Sequence, residues 1–192
     1  MQEAVPVGEG TMIAVLGLKI HEVEDLIKKN DNKKGVCEVA NDNADGQVII
    51  SGNASSIKSL QELLKEKKIK SIPLKVSAPF HCSVMKPAAE KMKEKIGNTN
   101  FKQPSFEIIN NVNAKPEKDP EIIKRLLIEQ IYSTVKWRES LIFMSNSGVK
   151  NFFEIGPGKA LTGMVKRTIK NSNCFSINSI ADIKNIENEL KK

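Results

Sequence analysis

The first third of the chain alternates short β-branched runs with amphipathic segments in a fixed order. Apolar residues at three- and four-residue spacing, such as Ile57, Leu60 and Leu64, predict helices over 22–29 and 55–68. Strands are predicted over 11–18, 36–40, 47–51 and 69–76, with a turn at 41–46 that closes a hairpin. The order β-α-β-β-α-β is that of the ferredoxin-like split βαβ unit. We therefore predict an α/β chain in which residues 11–76 form a ferredoxin-like small subdomain.

The rest of the chain has a different pattern. Helices are predicted over 83–96, 120–132, 137–147, 159–170 and 180–190, and strands over 106–109, 151–155 and 174–177. Ser83 is the expected N-cap of the first of these helices, and Asp119 with Pro120 is expected to start the second. Alternating strands and helices predict a parallel α/β sheet. Three strands are too few for a complete doubly wound sheet, so residues 77–192 are expected to form part of a larger subdomain, with residues 1–10 as an irregular lead-in.

Composition narrows the class of protein. The sequence contains no run of about 18 apolar residues that could span a bilayer, and residues 1–6 lack the pattern of a signal peptide. The three cysteines form no CxxC motif, which favours a reducing cytoplasm without disulfides or a zinc site. We therefore expect a cytoplasmic protein that uses neither a membrane nor a bound metal.

The formal net charge is +7, which raises the question of an acidic partner. Aromatic residues make up only 5% of the chain and are not interleaved with the basic ones, so a nucleic-acid stacking surface is not expected. Two interpretations stay open: a solvated basic surface, or a surface that meets a specific acidic partner.

His81 is the main candidate for chemistry. It follows a β-branched run and a proline and precedes a predicted helix, which is a common position for a general base. The alternative is a histidine that is solvated or satisfied in the core. Cys82 is adjacent, but neighbouring residues of an extended segment point to opposite faces, so a Cys-His pair is not expected.

The segment 154–163 is a second candidate. It reads as a strand, a glycine turn and the start of a helix. Such a turn can present backbone N–H groups to an anion, or it can simply be a tight connection. Its spacing matches neither a Walker motif nor GxGxxG.

Several segments, taken in order, resemble the bacterial malonyl-CoA:acyl-carrier-protein transacylase family over essentially all 192 residues. They are residues 1–6 with Gly8 and Gly10, 46–52, 79–89, 110–112, 130–132 with Val135 and Trp137, and 154–167. The resemblance implies an α/β-hydrolase-like large subdomain carrying an inserted ferredoxin-like subdomain. It also implies ping-pong acyl transfer, in which a serine in a GHSLG elbow takes malonyl from malonyl-CoA and passes it to the phosphopantetheine thiol of acyl carrier protein. No cofactor beyond these substrates is implied.

The same resemblance implies roles for individual residues. His81 matches the histidine that activates the serine, and Gln130 falls where the family offers a backbone carbonyl to the other imidazole nitrogen. Six further positions match residues of the substrate cleft: Met1 in the pocket lining, Asn41, Asn43 and Gln47 near the pantetheine, Lys70 near phosphates, and Phe80 as the bulky residue linked to malonyl preference.

The sequence also departs from the family pattern. It contains no GHSLG, no GxxxQ segment for the oxyanion hole, and no arginine just before Met-Gln-Glu-Ala. We therefore expect a C-terminal portion of a transacylase, with Met1 as an internal start, a gene-model artefact or a fragment boundary. The alternatives are an inactive product that only binds acyl carrier protein or coenzyme A, and an acyltransferase domain of a polyketide synthase.

Overall fold

The computed structural model describes residues 5–6, 8–30 and 34–190. Its helices and strands form a mixed α/β fold. The chain divides into two compact units, Met1–Ser140 and Leu141–Lys192. No helix in the described ranges is both long enough and apolar enough to cross a bilayer.

The first unit is built on a four-stranded antiparallel sheet in the order β2-β3-β1-β4. Its strands are β1 (Gly10–Leu16), β2 (Cys37–Ala44), β3 (Gln47–Asn53) and β4 (Ser71–Pro73). Helix α1 (Ile20–Lys28) follows β1, and helix α2 (Ala54–Glu66) follows β3. The element order is therefore the β-α-β-β-α-β that the apolar spacing predicts.

Both faces of this sheet are apolar. Because side chains alternate along a strand, Ile13 and Val15 of β1 face one way and Met12 and Ala14 the other. The first face forms the larger core with α1 and α2, whose fully buried members include Val23, Ile57, Leu60 and Leu64. The second face forms a smaller cluster of Met12, Ala14, Ala40 and Ile49, against which Phe80 packs.

Two predictions for this sheet are corrected by the structure. The predicted turn at 41–46 is shorter, because β2 continues through residues 41–44 and pairs with β3 through two irregularities in register. The predicted strand at 69–76 shrinks to Ser71–Pro73. Pro73 lacks an N–H and so cannot continue a regular ladder of hydrogen bonds.

The remainder of the first unit contains further helices and a short hairpin. A 3-10 turn (Ser83–Met85) leads into α3 (Lys86–Gly97), and a hairpin of β5 (Ile108–Ile109) and β6 (Pro116–Glu117) leads into α4 (Pro120–Gln130). Asp119 caps α4 as predicted, accepting hydrogen bonds from Glu121 N at 2.8 Å and Ile122 N at 3.3 Å. Ser83 is not the N-cap of α3, because the 3-10 turn intervenes. The next helix, α5, is Trp137–Asn146.

The second unit is a β-α-β arrangement. Strands β7 (Asn151–Ile155) and β8 (Asn173–Ile177) pair in parallel, joined by α6 (Ala160–Thr168), and α7 (Ile180–Leu190) follows. The rings of Phe153 and Phe175, which are register partners, stack with centroids 5.0 Å apart. The parallel pairing of β7 with β8 is what the alternation of strand and helix predicts. The prediction is wrong for the third strand, because β5 pairs antiparallel with β6 in a separate two-stranded sheet.

Candidate functional site

His81 lies in a turn between the buried Pro79 and the 3-10 turn at Ser83–Met85. Its side chain is half-buried, and its backbone has φ 59°, in the left-handed region. A non-glycine residue in this region is uncommon, and such residues cluster at functional sites when the surroundings hold them there. The backbone of His81 is therefore a local departure from the preferred conformation that neighbouring contacts must hold in place.

The imidazole makes one defined hydrogen bond. Nδ1 of His81 lies 2.9 Å from the carbonyl oxygen of Gln130. Because a carbonyl oxygen only accepts, this contact places the proton on Nδ1 in the neutral ring. Nε2 then carries the lone pair, so this nitrogen is the one that can take a proton from a partner.

Gln130 is the last residue of α4. The last carbonyls of a helix have no partner within the helix, which leaves the Gln130 oxygen available to the imidazole. Its side-chain Nε2 donates to the Ser133 carbonyl at 2.9 Å and so ties the helix end to the following segment.

The segment that follows α4 is hydrogen-bonded to strand β2. Thr134 Oγ1 donates to the Val39 carbonyl at 2.7 Å, and Val135 N donates to the Ala40 carbonyl at 2.8 Å. Asp42 N donates back to the Val135 carbonyl at 3.0 Å. These bonds fix the end of α4, and with it the Gln130 carbonyl, against the sheet.

A cavity of about 600 Å³ opens beside His81. It is lined by residues of α1, β2 and the α4–α5 segment, including Glu24, Glu38, Glu129, Lys28 and Lys136. Both signs of charge are present, so the lining does not by itself select a substrate of one sign. No group of three His, Cys, Asp or Glu side chains within the described ranges could hold a metal ion.

The other predicted substrate residues are not part of this cavity lining. Asn41 and Asn43 lie in β2 and are half-buried, and Asn41 forms an isolated bridge with Val135. Gln47 is opposite Leu16 in the sheet, and Leu16 N donates to the carbonyl of the exposed Lys70 at 3.0 Å. Gln47 and Lys70 therefore flank the Leu16 end of β1, whereas Pro79, two residues before His81, lies against Gly10 at the other end of the strand.

Phe80 and Met1 complete the set of predicted residues. Phe80 precedes the imidazole and packs against the smaller cluster on the second face of the sheet. It also packs against a further buried cluster that includes Met85, Ala89 and Ile131. Met1 lies outside the described residues.

The Cys82 side chain lies in the packed interior of the first unit. It is fully buried, and its Sγ donates to the Pro79 carbonyl at 3.1 Å. Burial raises the pKa of the Cys82 thiol above its ordinary value, with a smaller contribution from the Glu38 carboxylate and against the opposing effect of the Ser51 hydroxyl and nearby backbone amides. Because the thiolate is the nucleophile, a raised pKa makes this cysteine unreactive.

The glycine turn after β7 is a tight connection and offers no free helix N-terminus. The Glu154 carboxylate accepts hydrogen bonds from Leu161 N at 3.1 Å and Thr162 N at 2.7 Å, at the start of α6. These amides hold the pKa of the Glu154 carboxyl below its ordinary value. Of the two interpretations of segment 154–163, the structure favours the tight connection over the anion site.

Two polar contacts near the site were not anticipated from the sequence. Glu38 of β2 accepts hydrogen bonds from the backbone and hydroxyl of Ser83, and Asp42 forms an ion pair with Arg138. Asp42 is 1% exposed and Arg138 Nη2 lies 2.8 Å from its Oδ2. The partners are 45 and 96 residues apart in the chain, so local spacing carries no signal for them.

Comparison with known proteins relates this geometry to a family. A family model described as acyl transferase domain matches residues 1–190. The malonyl CoA-acyl carrier protein transacylase of Bacillus subtilis is 44% identical over 168 residues, which cover 87% of this chain and 53% of that protein. The protein of the same name from Haemophilus influenzae is 37% identical over 191 residues, covering 99% of this chain and 61% of its own length.

Solved structures of proteins with these names have folds similar to that of this chain. The crystal structure of a malonyl CoA-acyl carrier protein transacylase from Clostridium perfringens has a TM-score of 0.93 and 36% identity, covering 100% of this chain and 60% of that one. A type II polyketide synthase acyl-carrier protein in complex with its malonyl-transacylase matches with a TM-score of 0.91 and 35% identity, covering 97% of this chain and 61% of that one. The chain thus spans less than two thirds of the length of these relatives. Because the family model matches residues 1–190 of the 192 in this chain, the chain belongs to the acyl transferase domain family.

Proposed function

We propose that this chain contributes the general base to the transfer of malonyl from malonyl-CoA to the phosphopantetheine thiol of acyl carrier protein. The observation that supports this most strongly is the 2.9 Å contact between Nδ1 of His81 and the Gln130 carbonyl, which leaves Nε2 free to accept a proton. The names of the relatives supply the substrate class, since they are malonyl CoA-acyl carrier protein transacylases.

The proposed first half-reaction acylates a serine hydroxyl held at Nε2. His81 takes the hydroxyl proton as the serine oxygen attacks the thioester carbonyl of malonyl-CoA. Collapse of the tetrahedral intermediate breaks the C–S bond, and the imidazolium returns its proton to the departing coenzyme A sulfur. The sequence itself contains no GHSLG serine, so the nucleophile in this scheme is one supplied by a segment with that motif.

The second half-reaction runs the same proton path in reverse. Nε2 of His81 takes the proton of the phosphopantetheine thiol as the sulfur attacks the serine ester. The serine oxygen leaves and recovers the proton from the imidazolium. Throughout, the Gln130 carbonyl keeps the Nδ1 proton in place, so the ring holds one orientation while Nε2 shuttles.

Substrate contacts are proposed for the remaining predicted residues. Asn41, Asn43 and Gln47 would line the cleft near the pantetheine arm, and Lys70 would meet phosphates. The exposure of Lys70 and its place beside Gln47 across β1 support this arrangement. Phe80 would favour malonyl over bulkier acyl groups, and Met1 would line the acyl pocket.

The finer architecture belongs to the same proposal. Residues 11–76 would act as the ferredoxin-like small subdomain and residues 77–192 as part of an α/β-hydrolase-like large subdomain. The β-α-β-β-α-β order of the first segment supports this division. Function in the cytoplasm, where malonyl-CoA and acyl carrier protein meet, is part of the proposal.

The proposal is tested by measuring the transfer of radiolabelled malonyl to acyl carrier protein. The assay mixes labelled malonyl-CoA, holo-acyl carrier protein and one of two proteins: the 192-residue chain, or a chimaera in which a family segment carrying the GHSLG serine precedes residue 1. We expect transfer by the chimaera and none by the chain alone. A chimaera that folds but transfers no malonyl would contradict the proposal, as would transfer by the chain alone.

A second candidate function is binding of acyl carrier protein or coenzyme A without transfer, and the observation that favours it is the net charge of +7. Titration of the chain with acyl carrier protein separates the two, because tight binding together with an inactive chimaera supports the binding function alone.

A further inference from the structure

We propose that Glu38 is a positioning residue that holds the His81 turn in its left-handed conformation through Ser83. This inference rests on the proposed function, since it concerns how the base is presented. Glu38 Oε2 accepts a hydrogen bond from Ser83 N at 2.8 Å, and Glu38 Oε1 accepts one from Ser83 Oγ at 2.6 Å. One carboxylate thus engages both donors of the residue two positions after His81.

Glu38 is attached to a rigid part of the fold. Its neighbours in β2, Cys37 and Val39, are 6% and 9% exposed and belong to the larger core. Its register partner in β3 is Ser51, which is fully buried. Because these anchors cannot shift without disturbing the core, the carboxylate has a defined position from which to hold the turn.

The cross-strand pair contacts two consecutive residues of the turn. Ser51 lies beside the Cys82 thiol, and Glu38 binds Ser83. Directly opposite residues of an antiparallel pair share one face of the sheet, so this face forms a small platform for residues 82 and 83. The turn is fastened on its other side by the Nδ1 contact of His81 with Gln130.

The left-handed backbone of His81 explains why the turn needs these hydrogen bonds on both sides. A non-glycine residue at φ 59° is unfavourable unless its surroundings hold it. Without Glu38, the N–H and hydroxyl of Ser83 lose their acceptors, and water in the adjacent cavity can replace them without fixing the turn. The backbone can then relax, and the imidazole moves away from the Gln130 carbonyl.

Glu38 is distinct from the acid of a catalytic triad. Its two oxygens are engaged by Ser83, while the nitrogen of His81 that such an acid would contact is bound by a carbonyl. Its effect on the base is therefore geometric. It sets where the ring sits and which tautomer the ring adopts.

The test is the imidazole tautomer of His81, read from ¹⁵N NMR shifts of the ring nitrogens in the full 192-residue chain at a pH where the ring is neutral. We expect the Nδ1–H form to dominate in the unsubstituted chain. In Glu38→Ala it should give way to the mixture found for free histidine, in which Nε2–H prevails. Glu38→Gln should retain much of the native tautomer, because its amide oxygen can still accept from Ser83 N.

Glu90→Ala is the matched control, since Glu90 is an exposed carboxylate of α3 whose ion-pair partner is the exposed Lys93. It should leave the tautomer unchanged. A folded Glu38→Ala chain with the native tautomer would overturn the inference. If Glu38→Ala does not fold, Ser83→Ala decides, because it removes one of the two bonds: an intermediate tautomer mixture supports the inference and a native one overturns it.

Activity of the chimaera adds a second measurement. Glu38→Ala should lower kcat roughly 10- to 100-fold, as expected for a misplaced base, with KM for malonyl-CoA little changed. A merely structural loss would lower the amount of active enzyme without changing the tautomer of the folded fraction. The NMR measurement needs no turnover, so a failed inference and a failed proposed function give different results.

Discussion

At the scale of single residues, the site depends on a main-chain oxygen. The Gln130 carbonyl that receives Nδ1–H of His81 exists whatever the side chain at position 130. Its amide side chain only adds the bond to the Ser133 carbonyl, a contact of about 1 kcal/mol.

Gln130→Ala should therefore keep malonyl transfer by the chimaera within a few-fold of the unsubstituted protein, because the acceptor survives. The kcat/KM for malonyl-CoA is the quantity to compare. Activity as low as that of a histidine variant would show that the side chain, and not the main chain, orients the ring.

The cysteines should differ sharply in reactivity. Cys82 is fully buried with a raised thiol pKa, whereas Cys174 is half-buried. At a given pH less of the Cys82 thiol is ionised, so iodoacetamide at pH 8 should label Cys174 well before Cys82. Peptide mass spectrometry measures the two rates, and labelling in urea is the control that should make them similar. Equal rates in the folded chain would contradict the packed role of Cys82.

At the scale of secondary-structure elements, an ion pair joins β2 to the start of α5. Arg138 Nε lies 3.0 Å and 2.9 Å from the two oxygens of Asp42, which is 1% exposed. Asp42 and nearby acidic groups raise the pKa of the Arg138 guanidinium further above its ordinary value. The pair thus supports the segment that carries Val135 and, before it, Gln130.

Arg138→Met should destabilise the chain by about 3 kcal/mol, because it leaves the Asp42 carboxylate buried without its cation. The double variant Asp42→Asn with Arg138→Met should recover part of this loss. Urea unfolding measures both. A double variant as unstable as Arg138→Met alone would mean that the cost does not come from the unpaired charge.

The start of α6 should show a pH-dependent stability. The pKa of Glu154 is lowered by the amides of Thr162 and Leu161, so its ionised form stabilises the folded state. That contribution is fully present above the pKa of the unfolded chain, about 4.3, and is lost as pH falls through the lower folded value.

Glu154→Gln should therefore have a lower urea midpoint than the unsubstituted chain at pH 7, and the two midpoints should converge towards pH 3. Glu107→Gln, at an exposed site outside the helix starts, is the control that should show no such convergence. A gap of constant size from pH 7 to pH 3 would rule out the carboxylate–amide contact as its source.

Over the whole molecule, local pattern predicted the element order well and the contacts between distant segments poorly. Apolar spacing is enough for α1, α2 and the strands between them, and Asp119 with Pro120 marks the start of α4 because capping is a local effect. The extent of β2 was missed because residues 41–44 look like a turn, and only pairing with β3 makes them a strand.

The same distinction applies to the site. His81 stands out from the sequence because of its residue type and its position after a strand. Its left-handed backbone and the Glu38–Ser83 contact arise from segments 45 residues apart, which no local pattern encodes. The pairing of Asp42 with Arg138 spans 96 residues and was hidden for the same reason.

The net charge of +7 leads to a prediction for the whole chain. If an acidic carrier protein is its partner, long-range attraction contributes to binding and salt screens it. The Kd for acyl carrier protein should rise roughly tenfold between about 50 mM and 500 mM NaCl. Isothermal titration at the two salt concentrations measures this. An unchanged Kd would assign the basic residues to a solvated surface.

The proposed function makes His81 the proton acceptor in malonyl transfer. The most direct measurement is the rate of malonyl transfer to holo-acyl carrier protein by the chimaera, with and without His81→Ala. Loss of a general base should lower the rate about 10²- to 10⁴-fold, with the folded structure retained by circular dichroism. A His81→Ala protein that transfers malonyl within about twofold of the unsubstituted rate would contradict this role of His81.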